Sequence, residues 1–482
     1  MPKVELFPDE KSENRLRNYV AYERLLEGKH FATYSQDEEF IKRFQRLRYL
    51  TCNFAGLISK VLADVLFGEK VQVDVQDNDE GQEFINALFD NNKLHVQLYE
   101  SSLFNSARGD AVFRIRTQDG QVIVEDINPA MFFPEETKNF RVEPKRKTLA
   151  WKDTIGDDTY LLKEIHTPGL IEMECYLMKE KNAKEIVKKV PIKEYNKKAD
   201  TDYVERLKTG IDEIPIVHVP NFRTNSMYWG TSDYHDLESL FLAVNNRITS
   251  IDNILDKHGD PILTIPEGIL DEDGQVQKKA MGVVEVRDGE NKPEYIVWDA
   301  NLDSAFQEID ELVKMIFLIG EISPDVVGID TKRGAVESGR ALKLRMVRTL
   351  AKKNRKSLYY EVALQDVFRI ASKFAKAGNK SGDIGYKGDE LIPNITFADG
   401  VVDDKVEQVE QETIKVEAGL TSKKRAIQKI EDMDSDNAEQ LMKEIDGETD
   451  KKADFNSETL FAQQRKDIND KQRTEQEGES TK

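Results

Sequence analysis

The 482-residue sequence predicts an α+β fold of more than one domain. Three observations carry this. Long stretches repeat apolar residues at spacings of three and four, the period of an α-helix packed on one side. Between them, around Asp119-Gly120, the period changes to two, as in a hairpin. The length is also too great for one ordinary core.

The N-terminal half is mixed. Asn14–Glu27 reads as a short amphipathic helix. Glu38–Phe67 reads as one longer helix, with Phe40, Phe44, Leu47, Leu50, Phe54, Leu57, Val61 and Val65 on one side and Gly68 as its stop. Val71, Val73 and Val75 alternate with polar residues as a half-buried strand. Glu80–Leu88 and Leu94–Ala107 read as two further helices. Strands follow at 112–116 and 122–127, then at Thr148–Lys152, Tyr160–His166, Ile171–Met178 and Pro215–Pro220.

The stretch 230–320 reads as helix, small β module, helix. Leu237, Leu240, Val244, Ile248, Ile251 and Leu255 make one face of a helix over Ser232–His258, with Ser232 and Asp233 as caps and Gly259 and Pro261 as the stop. A second helix starts near Leu302, behind Asn301, with Phe306, Ile309, Leu312, Val313 and Ile316 on its apolar face. Two β runs, Val283–Val286 and Tyr295–Trp298, lie between, joined through Asp288–Asn291. Beyond Ser323–Gly334, a loop, Ser338–Ala377 reads as one long helix with a kink or two buried sides. Its bases, Lys343, Arg345, Arg348, Lys352, Lys353, Arg355 and Lys356, stand out in a chain of net charge -20. They suit a face paired with acidic neighbours better than direct DNA contact. Ile384–Phe397 returns to loop and strand. Asp404–Glu417, Lys423–Glu431 and Asn437–Ile445 read as helices, and Gly447–Lys482 as a disordered polar tail.

Charge and motifs narrow the function. A net charge of -20 argues against gripping nucleic acid over the whole surface, but not against DNA passing through an acidic channel. Cys52 and Cys175 sit in hydrophobic patterns as free thiols, which fits a reducing compartment. The first ten residues lack a signal peptide, and no apolar run approaches the ~20 residues of a membrane helix. There is no Gly-x-x-x-x-Gly-Lys-Ser/Thr loop, no Gly-x-Ser-x-Gly elbow and no His-Glu-x-x-His pair. The six histidines are scattered singly, so neither catalytic, cofactor nor metal residues are assigned. Three classes stay open: a ring-forming structural protein, a metal-dependent nuclease with a dispersed acidic site, and an acidic scaffold or adaptor.

The residues also carry a resemblance. Tyr228-Trp229-Gly230-Thr231-Ser232-Asp233-Tyr234, Asp236-Leu237 and Ala243-Val244-Asn245 resemble the start of the stem in portal proteins of tailed, siphovirus-type bacteriophages. Glu337-Ser338-Gly339-Arg340-Ala341-Leu342 is similar to the start of the long helix after that family's tunnel loop, and Ala418–Lys423 to a turn between its crown helices. The resemblance implies a portal fold closed into a ring, usually dodecameric, at a capsid vertex of the virion. Double-stranded DNA would be packaged and ejected through it without sequence specificity. It further implies a wing (1–231), stem helices (232–258 and 302–319), a clip (259–301), a tunnel-loop region (320–337), a long wing helix with a strand (338–399) and a crown (400–446). Partners implied are the terminase large subunit, a head-completion adaptor, and the major capsid and scaffolding proteins, with assembly in the host cytoplasm and no cofactor.

Within that frame, Asp330, Lys332 and Arg333 are the tunnel-loop residues expected near DNA. Asp252, Asp256, Glu308, Asp310 and Glu311 are candidates to line the stem channel, where acids would keep a duplex mobile because bases on phosphates add salt-dependent binding. Phe241, Leu242, Phe317 and Leu318 exceed what two helices can cover alone, and are expected to pack against neighbouring subunits.

Overall fold

The computed structural model describes residues 6–76, 78–135, 137, 142–179, 184–259, 262–264, 294–296, 302–328, 343–378, 386–398, 405–431, 433 and 437–445. The chain divides into two compact units, Met1–Ala335 with Lys343–Gly400, and Val336–Leu342 with Val401–Lys482.

The larger unit opens with helices α1 (Glu10–Leu26), α2 (His30–Tyr34), α3 (Glu38–Phe44) and α4 (Phe54–Phe67). The single helix expected over Glu38–Phe67 is thus two, which corrects the sequence reading. The side chain of Asn53 caps α4 through Gly56 N at 2.8 Å and donates to Leu26 O at 3.0 Å, which fixes a break there. The residues before it belong to no helix and give their backbone to another helix, as described below. The apolar spacing ran through the break because both pieces bury the same kind of side chain.

Strand β1 (Gln72–Asp74) precedes helices α5 (Asp79–Asn92) and α6 (Leu94–Arg108). The hairpin of β2 (Asp110–Gln118) and β3 (Gln121–Ile127) turns at Asp119 and Gly120, with φ of 50° and 75°, as a tight two-residue turn requires. The outer edge of β3 is closed by side chains in place of a strand. Asn92 accepts from Val124 N and donates to Val122 O, and Gln97 accepts from Asp126 N and donates to Val124 O. Pairing the edge this way removes a site for aggregation.

The second sheet is antiparallel, in the order β4 (Phe132–Pro134), β5 (Lys147–Ile155), β6 (Asp158–Thr167), β7 (Leu170–Met178), β8 (Ile186–Val190). Helix α7 (Ile192–Ala199) covers it through Ile192 and Tyr195, and β9 (Arg206–Lys208) pairs with β7. Neither β8 nor α7 was expected from sequence. Strand β10 (Ile216–Pro220) joins β2 to complete a three-stranded sheet.

Two helices, α8 (Glu238–Gly259) and α9 (Asp303–Gly320), bracket a short pairing of β11 (Ile262–Thr264) with β12 (Glu294–Ile296). The expected strand Val283–Val286 and the turn Asp288–Asn291 lie outside the described residues, as does Asn301. Leu237 meets Gly320 and Arg247 meets Glu308, so the two helices run antiparallel. The long helix α10 (Val347–Gly378) follows, after a short helical stretch at 343–345 that ends at Met346. The residues from Ser338 to Leu342 lie outside the described residues. Strand β13 (Asn394–Thr396) pairs with β1.

Two main cores result. One packs Leu88, Leu98, Phe113, Val124 and Val219 against Tyr360, Leu364, Val367 and Phe368 of α10. The other packs Leu25, Ile58 and Leu62 against Tyr234, Phe241, Val244, Ile316 and Phe317. In the smaller unit, α11 (Lys405–Glu417) and α12 (Lys423–Glu431) form a hairpin through Gly419 at φ 68°, followed by helical residues 437–445. Glu412 holds it, accepting from Lys415 at 2.7 Å and Lys429 at 3.1 Å. Residues 446–482, which include the polar tail, lie outside the described residues.

Candidate functional site

The segment Gly230–Leu237 is the joint between the mixed body and the antiparallel pair α8 and α9. Its residues were expected to cap α8 at Ser232 and Asp233. The helix starts six residues later, at Glu238, and the two side chains do other work, which corrects that reading. Ser232 Oγ accepts from Tyr234 N at 3.0 Å and donates to Ala107 O at the end of α6. Asp233 N donates to Ser106 O at 2.9 Å. The turn is thereby stitched to the C-terminus of α6, whose last carbonyls would otherwise lack partners.

The Asp233 carboxylate faces inward and holds two bases of α10, Lys352 at 2.9 Å and Lys356 at 2.7 Å, and also accepts from Ser106 Oγ at 2.7 Å. Burial works against its charge, but the two ammonium groups outweigh burial and hold the carboxyl far below the usual carboxylate range. Burial also pushes the Lys356 ammonium below its ordinary value, with Asp233 opposing that and Lys352 adding to it. Each ammonium also makes a second hydrogen bond. Lys352 donates to Gly320 O at the end of α9 at 2.9 Å, and Lys356 donates to Asn221 Oδ1. Thr349 Oγ1 accepts from Ser323 N at 2.7 Å, and Arg355 reaches Glu321 at 2.8 Å. One buried acid therefore ties α6, the joint, the end of α9 and α10 together.

A second buried acid lies at the other end of the joint. Asp110 accepts from His218 Nε2 at 2.7 Å, Gly230 N at 2.8 Å and Tyr19 Oη at 2.5 Å. His218 stacks on Tyr228, with ring centres 5.0 Å apart, and Arg15 lies 3.8 Å over Trp229. The aromatic pair ahead of the glycine thus wedges the joint against β10 and α1.

Asn245 pins the next turns of α8. It accepts from Cys52 N at 2.8 Å and donates to His30 Nδ1 at 2.9 Å, and Thr249 Oγ1 accepts from Leu50 N at 3.0 Å. Burial pushes the His30 imidazole below its ordinary pKa. A neutral ring with its proton on Nε2 fits both partners, since Asn53 Oδ1 lies 3.3 Å from that atom.

The sequence-expected residues fall in three places. Asp330, Lys332 and Arg333 lie outside the described residues. Asp256, Glu308, Asp310 and Glu311 are exposed on α8 and α9, and Asp252 is half-buried. Two of these carry a counter-charge, Glu308 from Arg247 at 2.5 Å and Glu311 from Lys314 at 2.6 Å. Phe241 and Phe317 need correcting. Both are buried within the chain, at 0% and 3% exposure, because α1 and α4 supply a floor that two helices alone lack. Leu242 is half-buried and Leu318 is 72% exposed. The long basic run is largely consumed inside the chain, by Asp233, Glu321, Asp325 and the carbonyl of Ala398. Sequence reasoning missed Lys352 and Lys356 as partners of Asp233. The available signal was their spacing, which continues the core-facing row of Tyr360, Leu364 and Val367.

Among the described residues no three His, Cys, Asp or Glu side chains come together to hold a metal ion. No described helix is long and apolar enough to cross a membrane. Cys52 and Cys175 are both free thiols.

A joint of this sequence, followed by an Asn-pinned helix, is what the resemblance to portals rested on. The family model for phage portal protein, SPP1 Gp6-like, matches residues 8–452. The chain belongs to this portal family. No curated protein matches it in sequence. Solved structures similar to this portal-family chain include one described as the neck of an empty gene transfer agent (GTA) particle computed with C6 symmetry. It is 11% identical with a TM-score of 0.45, covering 81% of this chain and 92% of that one. A second, the virion of a native GTA particle, is 10% identical with a TM-score of 0.40, covering 76% and 85%. A third, the neck of a native GTA particle computed with C12 symmetry, is 12% identical with a TM-score of 0.38, covering 78% and 87%.

Proposed function

We propose that the chain is the subunit of a portal: a closed ring at one capsid vertex through which DNA is packaged and ejected, and which connects head to tail. The match of the portal family model over residues 8–452 carries this reading. The chain's role is then structural, with packaging ATP hydrolysed by a separate terminase motor. A nuclease or a free adaptor has no specific observation in its favour.

In this reading α8 and α9 are the stem, and residues 259–301 are the clip that meets the motor and later the head-completion protein. Residues 320–337 are the tunnel loop, residues 400–446 the crown, and the remaining body the wing. The double-stranded DNA passes without sequence specificity. The ring sits in the virion and assembles in the host cytoplasm with capsid and scaffolding proteins.

The chemistry supports a low-friction stem. Asp256, Glu308, Asp310 and Glu311 are exposed on the two helices, whereas most bases of the long helix are tied down internally. A ring multiplies every phosphate contact by its subunit number, so acids in place of bases keep the duplex mobile. Close contact with DNA falls to the loop bearing Asp330, Lys332 and Arg333. Deleting Asp330–Gly334 is expected to permit ring assembly and impair motor-driven packaging in a reconstituted system. Wild-type packaging by that deletion contradicts the loop's role.

A further inference from the structure

Helix α10 buries one side through Lys352, Lys356, Tyr360, Leu364 and Val367. Its opposite side carries a row of apolar residues in water. Val347, Leu358 and Val362 are 56%, 63% and 62% exposed, and Ala351 between them is exposed too. At about 100° per residue these four fall within about 60° of one another, along about 22 Å of helix. Leu344, one turn earlier, is 68% exposed. A narrow row spaced by threes, fours and sevens suits another helix, and an exposed apolar patch rimmed by polar groups marks a docking surface. Arg348 is exposed beside the row, Arg355 on the same side is paired with Glu321, and Glu361 flanks the other side.

A second helix face is left over. At the end of α9, Met315, Leu318 and Ile319 are 47%, 72% and 47% exposed, while Ile316, Phe317 and Gly320 are buried. On the preceding turns Glu308 and Glu311 are already paired, with Arg247 and Lys314. Within one chain both faces stay in water, so they do not cover each other. Two different patches on one chain, matched in apolar character, make a head-to-tail contact that repeats from copy to copy around a ring.

We propose that the apolar row of α10 in one copy receives the Met315–Ile319 end of α9 from the next copy. This rests on the ring reading above and names the surfaces that close the ring. The test uses two pools of full-length protein. One carries one added cysteine in place of Met315 or Leu318, the other in place of Val347, Leu358 or Val362, all exposed positions. Pools are co-assembled, oxidised and run on non-reducing gels, with wild type giving the background from Cys52 and Cys175. The expected result is a disulfide between chains of different pools in the ring fraction, at least tenfold above either pool alone. Rings without any such cross-link, across all six pairings, overturn the proposed surfaces and leave the ring standing. Failure of the wild-type chain to form rings at all overturns the ring reading and this proposal with it.

Discussion

Gly230 packs directly on Gly109: a Cβ added at Gly230 would overlap the Gly109 carbonyl oxygen, and one added at Gly109 would lie 2.8 Å from Ser232 N. That carbonyl already accepts from Asn221 N at 2.8 Å, so it cannot swing away. Gly109 also has φ of 92°, which a side chain strains. Gly230→Ala should therefore cost about 1–3 kcal/mol or more by overpacking, and Gly109→Ala should cost at least as much. Chemical denaturation of the two variants checks this. Wild-type stability in either would mean that the joint is looser than described.

Asp233→Asn should cost about 3–5 kcal/mol at neutral pH, because it leaves two buried ammonium groups without their counter-charge. Adding Lys356→Met to Asp233→Asn should recover part of that loss, since one of the stranded charges is then gone. The pH dependence has a definite sign. Asp233 has its folded pKa depressed, so its contribution is present above the ordinary carboxylate value near pH 4. It is lost only as pH falls through the much lower folded value. Asp233→Asn should flatten the acid limb of the wild-type stability curve in that range. Equal steepness in both proteins would count against the ion pairs.

Asp126 behaves in the opposite way. Burial raises its carboxyl to about 7, with Glu100 adding to this and Arg108 opposing it. A raised carboxyl favours the folded state most below the unfolded value near pH 4, and the benefit disappears as pH rises through about 7. Asp126→Asn should thus be more stable than wild type at pH 8, by on the order of a few kcal/mol, and near wild type at pH 4. Thermal melts across that interval test it, and a wild type unaffected by pH between 4 and 8 contradicts it.

Phe317→Ala should destabilise the chain itself by about 3–5 kcal/mol, since the ring is buried against Phe54 with centres 6.1 Å apart. Leu318→Asp, at a 72% exposed position, should leave single-chain stability within about 0.5 kcal/mol. Denaturant titration at a concentration too low for assembly separates the two. Equal losses would contradict the division between a buried and an outward face of α9.

The contrast between Phe317 and Leu318 also shows what the sequence could and could not reveal. Periodicity located α9 to within a few residues and α8 except for its first six, because each has one strongly apolar face. It also located the β2–β3 hairpin, because Asp119-Gly120 dictates its turn. The same periodicity ran through Asn53 and merged α3 with α4. The break there comes from contacts with Leu26 and Asn245, which are distant in sequence. Phe241 and Phe317 were read as surplus because the floor that covers them comes from α1 and α4, about 180 residues and more earlier. Strand β8 was hidden by its lysines, since an edge strand with three exposed residues has little apolar alternation to read. Asp233 stood out in sequence only as a cap. Its true partners are more than a hundred residues away, and a helix with two lysines on its core side was the one local hint of them.

Electron microscopy of the purified full-length chain, with native mass spectrometry of the same sample, tests the central claim most directly. The portal reading predicts closed rings of a fixed subunit number with an open axial channel wide enough for a DNA duplex. Monomers, or open assemblies without a channel, across the concentrations used for packaging would contradict it.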